Sequence, residues 1–219
     1  MRRESSTVVA LVGEVGDDLL AGLSRSPNVS LARAPEPGGS RPAGNGSAGR
    51  ATPAAGQQAV SRPAWEPGAR AMQEAARRRS TYVIVPQDPL AGVAAGWQQM
   101  WDVAAGPAGT AAFEESAADV LAGWRSRQFE LPDYYLVVAP PDGQAAGPDL
   151  YLGPLRAARP HRVAVASMAG RPGQVAWLLD TLRSLEHGPW WPPLDELLEA
   201  ARRFYAGGLA ETQSPQVSR

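Results

Sequence analysis

The sequence predicts an α/β protein, a three-layer sandwich built on a mostly parallel sheet. Short apolar runs such as TVVALVG at residues 7–13 have the continuous pattern of strands buried on both faces. These runs alternate along the chain with segments whose apolar residues recur at helical spacing. Strands that alternate with helices pair in parallel, and the helices then cover both faces of the sheet.

Residues 1–34 form the first part of this core. Strand 7–13 is followed by a short helix, for which Gly16 or Asp17 is the N-cap, and then by strand 29–34. The leucines of the helix lie on one face, so the segment reads as a compact βαβ unit with a right-handed crossover.

Residues 35–68 are dominated by Pro, Gly, Ser and Ala and have almost no large apolar side chains. Such a segment cannot offset the entropy of becoming ordered, so we expect a disordered insertion. Between Arg33 and Arg79 the chain has eight arginines and three glutamates, although its total net charge is −1. Positive charge is therefore concentrated in and beside the insertion.

Residues 69–207 are predicted to complete the core. A helix at 69–80 leads to strand 81–86, and two helices lead to strand 133–140. The first of these two helices follows Pro89, and the second spans 110–127 with Thr110 as its cap. The first has an apolar stripe at helical spacing, made by Leu90, Val93, Trp97, Met100 and Trp101.

Two further strands, 149–155 and 161–168, are separated by a short turn-like segment and predict an antiparallel hairpin at one edge of the sheet. Helix 174–187 and a last helix starting near Pro193 complete the core, and residues 208–219 read as a flexible tail. For the sheet as a whole, a flavodoxin-like strand order is the first hypothesis and a Rossmann-like order is the second.

The composition of the 219 residues excludes several kinds of chemistry. The chain has no cysteine, so it cannot form a disulfide, a thiolate zinc site or an iron–sulfur cluster. All 21 basic residues are arginine, and without lysine there is no Walker A loop or Schiff base. The scarcity of Lys, Ile and Asn also indicates a high-GC genome, of the kind found in actinobacteria.

The charge and hydropathy patterns favour a cytoplasmic protein. No apolar run approaches the roughly 18 residues of a membrane-spanning helix, and the apolar N-terminal run is soon interrupted by acids. The near-zero net charge gives no field that would attract nucleic acid.

Acidic residues follow two of the predicted strands. Glu14, Asp17 and Asp18 come after the first strand, and Asp88 comes after the third. In a flavodoxin-like order these two strands are neighbours, so their carboxylates would converge and bind Mg²⁺. Alternatively, Asp88 followed by Pro89 has the form of a helix N-cap with proline at the first helical position.

Two other features are candidate contacts for a partner protein. Trp190 and Trp191 are adjacent and bracketed by prolines, so both cannot point inward from one helix face. An exposed, rigid tryptophan is a typical anchor at protein interfaces, although two buried rings would equally join the last two helices. Arg77, Arg78 and Arg79 form a basic cluster that fits a contact with nucleic acid or an acidic protein, or a solvated helix end.

Two functions from different classes remain open. The chain lacks the residues of most common catalytic strategies, and it has a basic insertion and a proline-bracketed Trp190-Trp191 segment, here called the Trp-Pro corner. These features favour a non-catalytic intracellular regulatory or scaffold module that binds another protein and needs no cofactor. The alternative is a Mg²⁺-dependent enzyme or a nucleotide- or phosphate-binding protein that uses the strand-end carboxylates.

Overall fold

The computed structural model describes residues 6–13, 15–34, 62–102, 104–139, 149–167 and 173–213. The five strands are β1 (Thr7–Gly13), β2 (Val29–Leu31), β3 (Tyr82–Val85), β4 (Tyr134–Ala139) and β5 (Val163–Ser167). The helices are α1 (Asp17–Ser24), α2 (Glu66–Ala75), α3 (Ala91–Trp101), α4 (Pro107–Arg125), α5 (Arg156–Ala158), α6 (Gln174–Arg183) and α7 (Leu194–Gln213). A π-helical turn (Tyr151–Leu155) and a 3₁₀ turn (Pro160–Arg162) precede β5.

The five strands form one sheet in the order β2-β3-β1-β4-β5, and every pair described is parallel. The α/β class and the parallel sheet are therefore confirmed. The order itself differs from both the flavodoxin-like order 2-1-3-4-5 and the Rossmann order 3-2-1-4-5. The central strand β1 is hydrogen-bonded on both sides, and Val9 lies opposite both Ile84 of β3 and Tyr134 of β4.

The predicted antiparallel hairpin is wrong. Its first strand, 149–155, is instead the π-helical turn, because the Asp149 carboxylate accepts the N–H groups of Tyr151 (2.7 Å) and Leu152 (3.0 Å) and so starts a helical turn. The second strand is present as β5, but it pairs in parallel with β4.

Helices cover both faces of the sheet. Alternate residues of each strand point to opposite faces. On one face Val9, Leu11 and their neighbours pack against the leucines of α1 and α6. On the other face Ala10, Val12 and their neighbours pack against α3, α4, the π-helical turn and α7, and α2 covers the β3 end of that same face.

Glycines let three helices approach their neighbours closely. A side chain at Gly96 would lie 2.8 Å from the Phe113 backbone, so α3 and α4 touch along their main chains. A side chain at Gly68 would lie 2.2 Å from the Pro89 nitrogen, and α2 thus presses directly on the segment that follows β3.

Two boundaries differ from the sequence prediction. Helix α2 begins at Glu66, inside the range expected for the insertion, since the Trp65 ring packs against Phe129 with centroids 5.7 Å apart and anchors this end. Helix α7 continues to Gln213, past the predicted start of the tail at residue 208. Residues 35–61 and 214–219 lie outside the described part of the chain. None of the helices that the structure describes combines the length and apolar character needed to cross a bilayer.

Candidate functional site

The carboxyl end of the sheet is where an open α/β fold binds ligands, at the point where the strand order reverses. Helix α1 leaves β1 on one face of the sheet, whereas the segments that follow its two neighbours, β3 and β4, pack on the other face, so the reversal occurs at β1. Gly13 ends β1 there with a φ of 106°, and a side chain on it would lie 2.3 Å from the Val138 carbonyl oxygen. Only glycine fits this position without strain.

Asp88 follows β3 at this end of the sheet, but its carboxylate turns into the core. The hydroxyl of Tyr151 donates to Oδ2 at 2.6 Å, and the hydroxyl of Tyr135 donates to Oδ1 at 3.1 Å. The backbone N–H of Leu90 is a third donor. Only 6% of Asp88 is exposed, so these donors replace water around the carboxylate.

Burial controls the protonation of this cluster. Loss of water raises the pKa of Asp88 from 3.8 to about 6, against the opposing effect of the hydrogen bonds from Tyr151, Leu90 and Tyr135. Burial and the nearby carboxylate also raise the pKa values of both tyrosines well above 10. Asp88 is thus the group that can take up or release a proton near neutral pH, while the tyrosines stay neutral donors.

Aromatic packing encloses the cluster. The Tyr135 and Tyr151 rings lie 5.1 Å apart, and Trp191 packs edge-on against Tyr135 at 5.6 Å. The Trp191 indole donates to the Pro132 carbonyl at 2.8 Å, which fixes the ring in place. The Asp88, Tyr135 and Tyr151 group therefore joins β3, β4 and the π-helical turn through an internal polar contact.

The predicted N-cap position of Asp88 is wrong, because α3 begins two residues later than this prediction requires. Helix α3 begins at Ala91, with Leu90 at the N-cap and no side-chain cap. Asp88 still helps the chain to enter α3, because its carbonyl accepts the Ala91 N–H at 3.2 Å and its carboxylate accepts the Leu90 N–H. Its main partners are nonetheless the two distant tyrosines.

Two of the acids that follow the first strand, Asp17 and Asp18, are placed apart from Asp88. Asp17 and Asp18 are exposed on α1, which covers the sheet face opposite to the one that receives the Asp88 side chain. Asp17 lies 3.9 Å from Arg33, whereas Glu14 falls outside the described residues. Within the described ranges, no three His, Asp or Glu side chains form a group that could hold a metal ion. Mg²⁺ binding stays a prediction.

The Trp-Pro corner divides its two tryptophans between environments. The segment passes from α6 on one face of the sheet to α7 on the other, so the adjacent rings point in different directions. Trp191 is 5% exposed and belongs to the core around Tyr135, whereas Trp190 is 39% exposed. The expectation that at least one of the two is exposed is met by Trp190.

Arg162 packs against the Trp190 ring and holds it in position. The Arg162 guanidinium lies 4.9 Å from the centroid of the Trp190 ring and 4.9 Å from that of Tyr134. The Arg159 side chain also donates to the Trp190 carbonyl at 2.7 Å. These contacts fix both the ring and the backbone of an exposed tryptophan.

Arg162 is itself buried, with 9% of its surface exposed. Its guanidinium donates to three backbone carbonyls, those of Gly188 (2.7 Å), Pro189 (3.0 Å) and Asp133 (3.3 Å). Oriented carbonyl dipoles and aromatic faces thus take the place of water around this cation.

The basic cluster lies at the end of α2. Glu74 forms ion pairs with Arg77 (3.4 Å) and Arg78 (2.8 Å), and all three arginines are exposed. Together with Arg33, Arg77 and Arg78 border an open groove of about 980 Å³ between α1 and α2. The charges of this groove are mixed, and its role as a partner contact stays a prediction.

Sequence reasoning missed the roles of Tyr135, Tyr151 and Arg162. The tyrosines lie 47 and 63 residues from Asp88, so no local pattern connects them. A signal did exist for the π-helical turn, since Asp149 directly before an apolar segment is typical of a helix start.

Comparison with known proteins leaves the fold and the geometry as the basis for function. Models of protein families give no match to the chain, and searches of curated proteins and of solved structures give no significant match.

Proposed function

We propose that the protein is a non-catalytic module that binds another protein through the surface around Trp190. The observation that carries this proposal is a large aromatic ring that is 39% exposed and yet held by neighbours on its inner side. Tryptophan and arginine are enriched among the residues that dominate binding energies at protein interfaces. Trp190 and the half-buried Arg159 beside it match that composition.

Preorganisation supports the same function. Immobilising a flexible side chain on binding costs about 0.5–1.5 kcal/mol. Trp190 has already lost most of that freedom, because Arg162 stacks under its ring and Arg159 holds its carbonyl. A partner that covers this ring therefore gains apolar contact without the usual ordering cost.

Polar side chains near the Trp190 ring are suited to form the rim of a protein interface. Arg159 lines a groove of about 600 Å³ beside α7, and His161 and Glu186 line another of about 340 Å³. Polar groups around a central aromatic anchor are the usual organisation of a protein interface. The more distant Arg77, Arg78 and Arg79 would add electrostatic steering toward an acidic partner.

A pull-down with purified variants tests the proposal. Trp190→Ala is expected to weaken capture of a specific partner from a high-GC actinobacterial lysate by about 30-fold, since an interface hot spot contributes roughly 2 kcal/mol or more. The melting temperature should fall only slightly, because the lost stacking on Arg162 contributes about 0.5–2 kcal/mol. Quantitative mass spectrometry gives the binding measurement.

Phe204→Ala is the matched control. Phe204 is 38% exposed, nearly as much as Trp190, but it lies ten residues into α7 against Gly153. Capture that falls equally in both variants would indicate nonspecific apolar adsorption. Unchanged capture in Trp190→Ala would remove Trp190 from the interface and contradict the proposal.

A further inference from the structure

A second surface feature lies where the start of α3 meets α4 and the segment that precedes α2. A cleft of about 280 Å³, here called the Trp65 cleft, is formed where Trp65 and Pro89 face α4. Glu115, Ser116 and Asp119 supply its polar lining, and Val120 is part of its apolar lining. Its volume is just below the range of drug-sized pockets, so it fits a group the size of one side chain.

The carboxylates of the cleft have no partner in the part of the chain that the structure describes. Glu115 and Asp119 are exposed, and neither forms an ion pair or hydrogen bond with any residue that the structure describes. Their neighbour Glu114 is different, since Arg202 donates to both of its oxygens at 2.8 and 2.7 Å. Helix α4 thus uses one acid for packing and presents the other two to the cleft.

The polar groups of the cleft all act as acceptors. Ser116 donates its hydroxyl hydrogen to the Ala112 carbonyl, which leaves only acceptor capacity on its oxygen. Among the described residues, no arginine or histidine lines the cleft. Glu115 and Asp119 also lie four residues apart on one helix, where like charges repel. A cation between them would remove that repulsion.

The apolar wall is suited to a flat cation. Trp65 packs against Phe129 and lies over Gly123, where an added side chain would be 2.9 Å from the indole Cε2. The ring is therefore fixed at one end of the cleft. Tryptophan is the strongest aromatic partner for a cation, and a planar guanidinium both stacks on the ring and donates to carboxylates.

We infer that the Trp65 cleft binds the guanidinium of an arginine side chain presented by a partner protein. The indole of Trp65 stacks on the guanidinium, and Glu115 and Asp119 accept its N–H groups. That the arginine belongs to a protein rests on the proposed function. The cleft is lined by none of the residues that hold Trp190, so the two surfaces can be tested separately.

The test is a titration of the intact protein with the peptide Ac-Ala-Arg-Ala-NH₂, followed by the indole N–H signals in NMR. Saturable binding that shifts the Trp65 signal is expected, with a dissociation constant of about 1 mM or lower. A citrulline peptide of the same shape has no charge, and it should bind at least about tenfold more weakly. Trp190→Ala should leave the peptide affinity unchanged.

The double variant Glu115→Gln/Asp119→Asn provides the site test. It should weaken binding of the arginine peptide at least about tenfold, while its melting temperature stays the same or rises because the repulsion between the two acids is removed. The matched control Asp17→Asn/Asp18→Asn makes the same change in net charge on α1 and should bind as the wild type does. Equal binding of the citrulline peptide, unchanged binding by the double variant, or the absence of saturation would each overturn the inference. None of these results bears on partner capture through Trp190.

Discussion

Asp88 and Arg162 are two residues of the charged class that the described part of the chain buries, and the fold accommodates them in different ways. Asp88 lies beyond the carboxyl end of β3 and is surrounded by hydrogen-bond donors, two of them tyrosine hydroxyls. Arg162 lies at the amino end of β5 and is surrounded by carbonyl oxygens and aromatic faces. The Asp88 carboxylate and the Arg162 guanidinium do not form a salt bridge with each other.

The difference follows from what each group can do with its proton. A carboxylic acid can become neutral by taking up a proton, and burial shifts Asp88 toward that form. A guanidinium keeps its charge in proteins, so Arg162 needs permanent dipoles around it. We therefore expect the contribution of Asp88 to stability to depend on pH and that of Arg162 to be constant.

The largest effect is expected for Arg162→Ala. The substitution leaves three carbonyls without a donor and removes the group packed between Tyr134 and Trp190. Each buried carbonyl left without a donor costs about 1–3 kcal/mol, and with three of them we expect a loss of unfolding free energy of about 3–5 kcal/mol. Urea denaturation at acidic and at neutral pH should give the same loss.

Arg162→Lys is the control for this prediction. It keeps the charge but loses the planar fork that reaches several carbonyls, so an intermediate loss is expected. A loss for Arg162→Ala below about 1 kcal/mol, which is typical of an exposed ion pair, would contradict the view that this cation organises the amino end of the sheet.

The second effect concerns Asp88 and pH. The pKa of Asp88 is raised to about 6, so the folded state holds the proton more tightly than the unfolded state does. Asp88 therefore stabilises the folded state fully below about pH 4. This stabilisation falls by roughly 3 kcal/mol in total as the pH rises through about 6. Asp88→Asn mimics the neutral form at every pH. The unfolding free energy of the wild type, measured relative to this variant, should therefore fall by that amount over the same rise in pH.

Tyr151→Phe sharpens the pH prediction. The Tyr151 hydrogen bond lowers the pKa of Asp88, and its removal should move the midpoint of the pH-dependent loss to higher pH. Tyr135→Phe should move the midpoint in the same direction but by less, since its hydroxyl is farther away at 3.1 Å. Urea denaturation of each protein across this pH range gives the measurement. A difference between wild type and Asp88→Asn that does not vary with pH would contradict this account.

The smallest effect is expected for Mg²⁺. Both oxygens of Asp88 accept hydrogen bonds from tyrosines inside the core, so millimolar Mg²⁺ should leave the melting temperature of the wild type unchanged. The same titration of Asp88→Asn is the control. A wild-type melting temperature that rises with Mg²⁺, together with no rise in the variant, would favour the Mg²⁺-dependent alternative.

Local pattern was sufficient to predict most of the core. Four of the five stripe residues of α3 are buried as expected, with Trp97 and Leu90 at 0% and 1% exposure, and the fifth, Trp101, is half-buried. The apolar run of β1 is likewise buried between helices on both faces. These positions follow from periodicity alone, because one buried stripe or strand needs no knowledge of its partners.

The parts that escaped prediction depend on contacts between distant segments. Segment 149–155 has strand-like composition, yet Tyr151 reaches Asp88 only from a helical turn. The burial of Arg162 depends on carbonyls 26 and 27 residues later in the chain. The strand order is also a long-range property, since the same alternation of strands and helices is compatible with several orders.

The central position of β1 has a consequence for synthesis of the chain. β1 is the first strand to be made, but β4, which completes its hydrogen bonding, ends only at Ala139. At about 5–20 residues per second, the ribosome needs roughly 6–25 s to make the intervening chain. During that time the apolar segment 7–13 lacks at least one of its two sheet partners, and binding by a chaperone at this segment is the expected protection against aggregation.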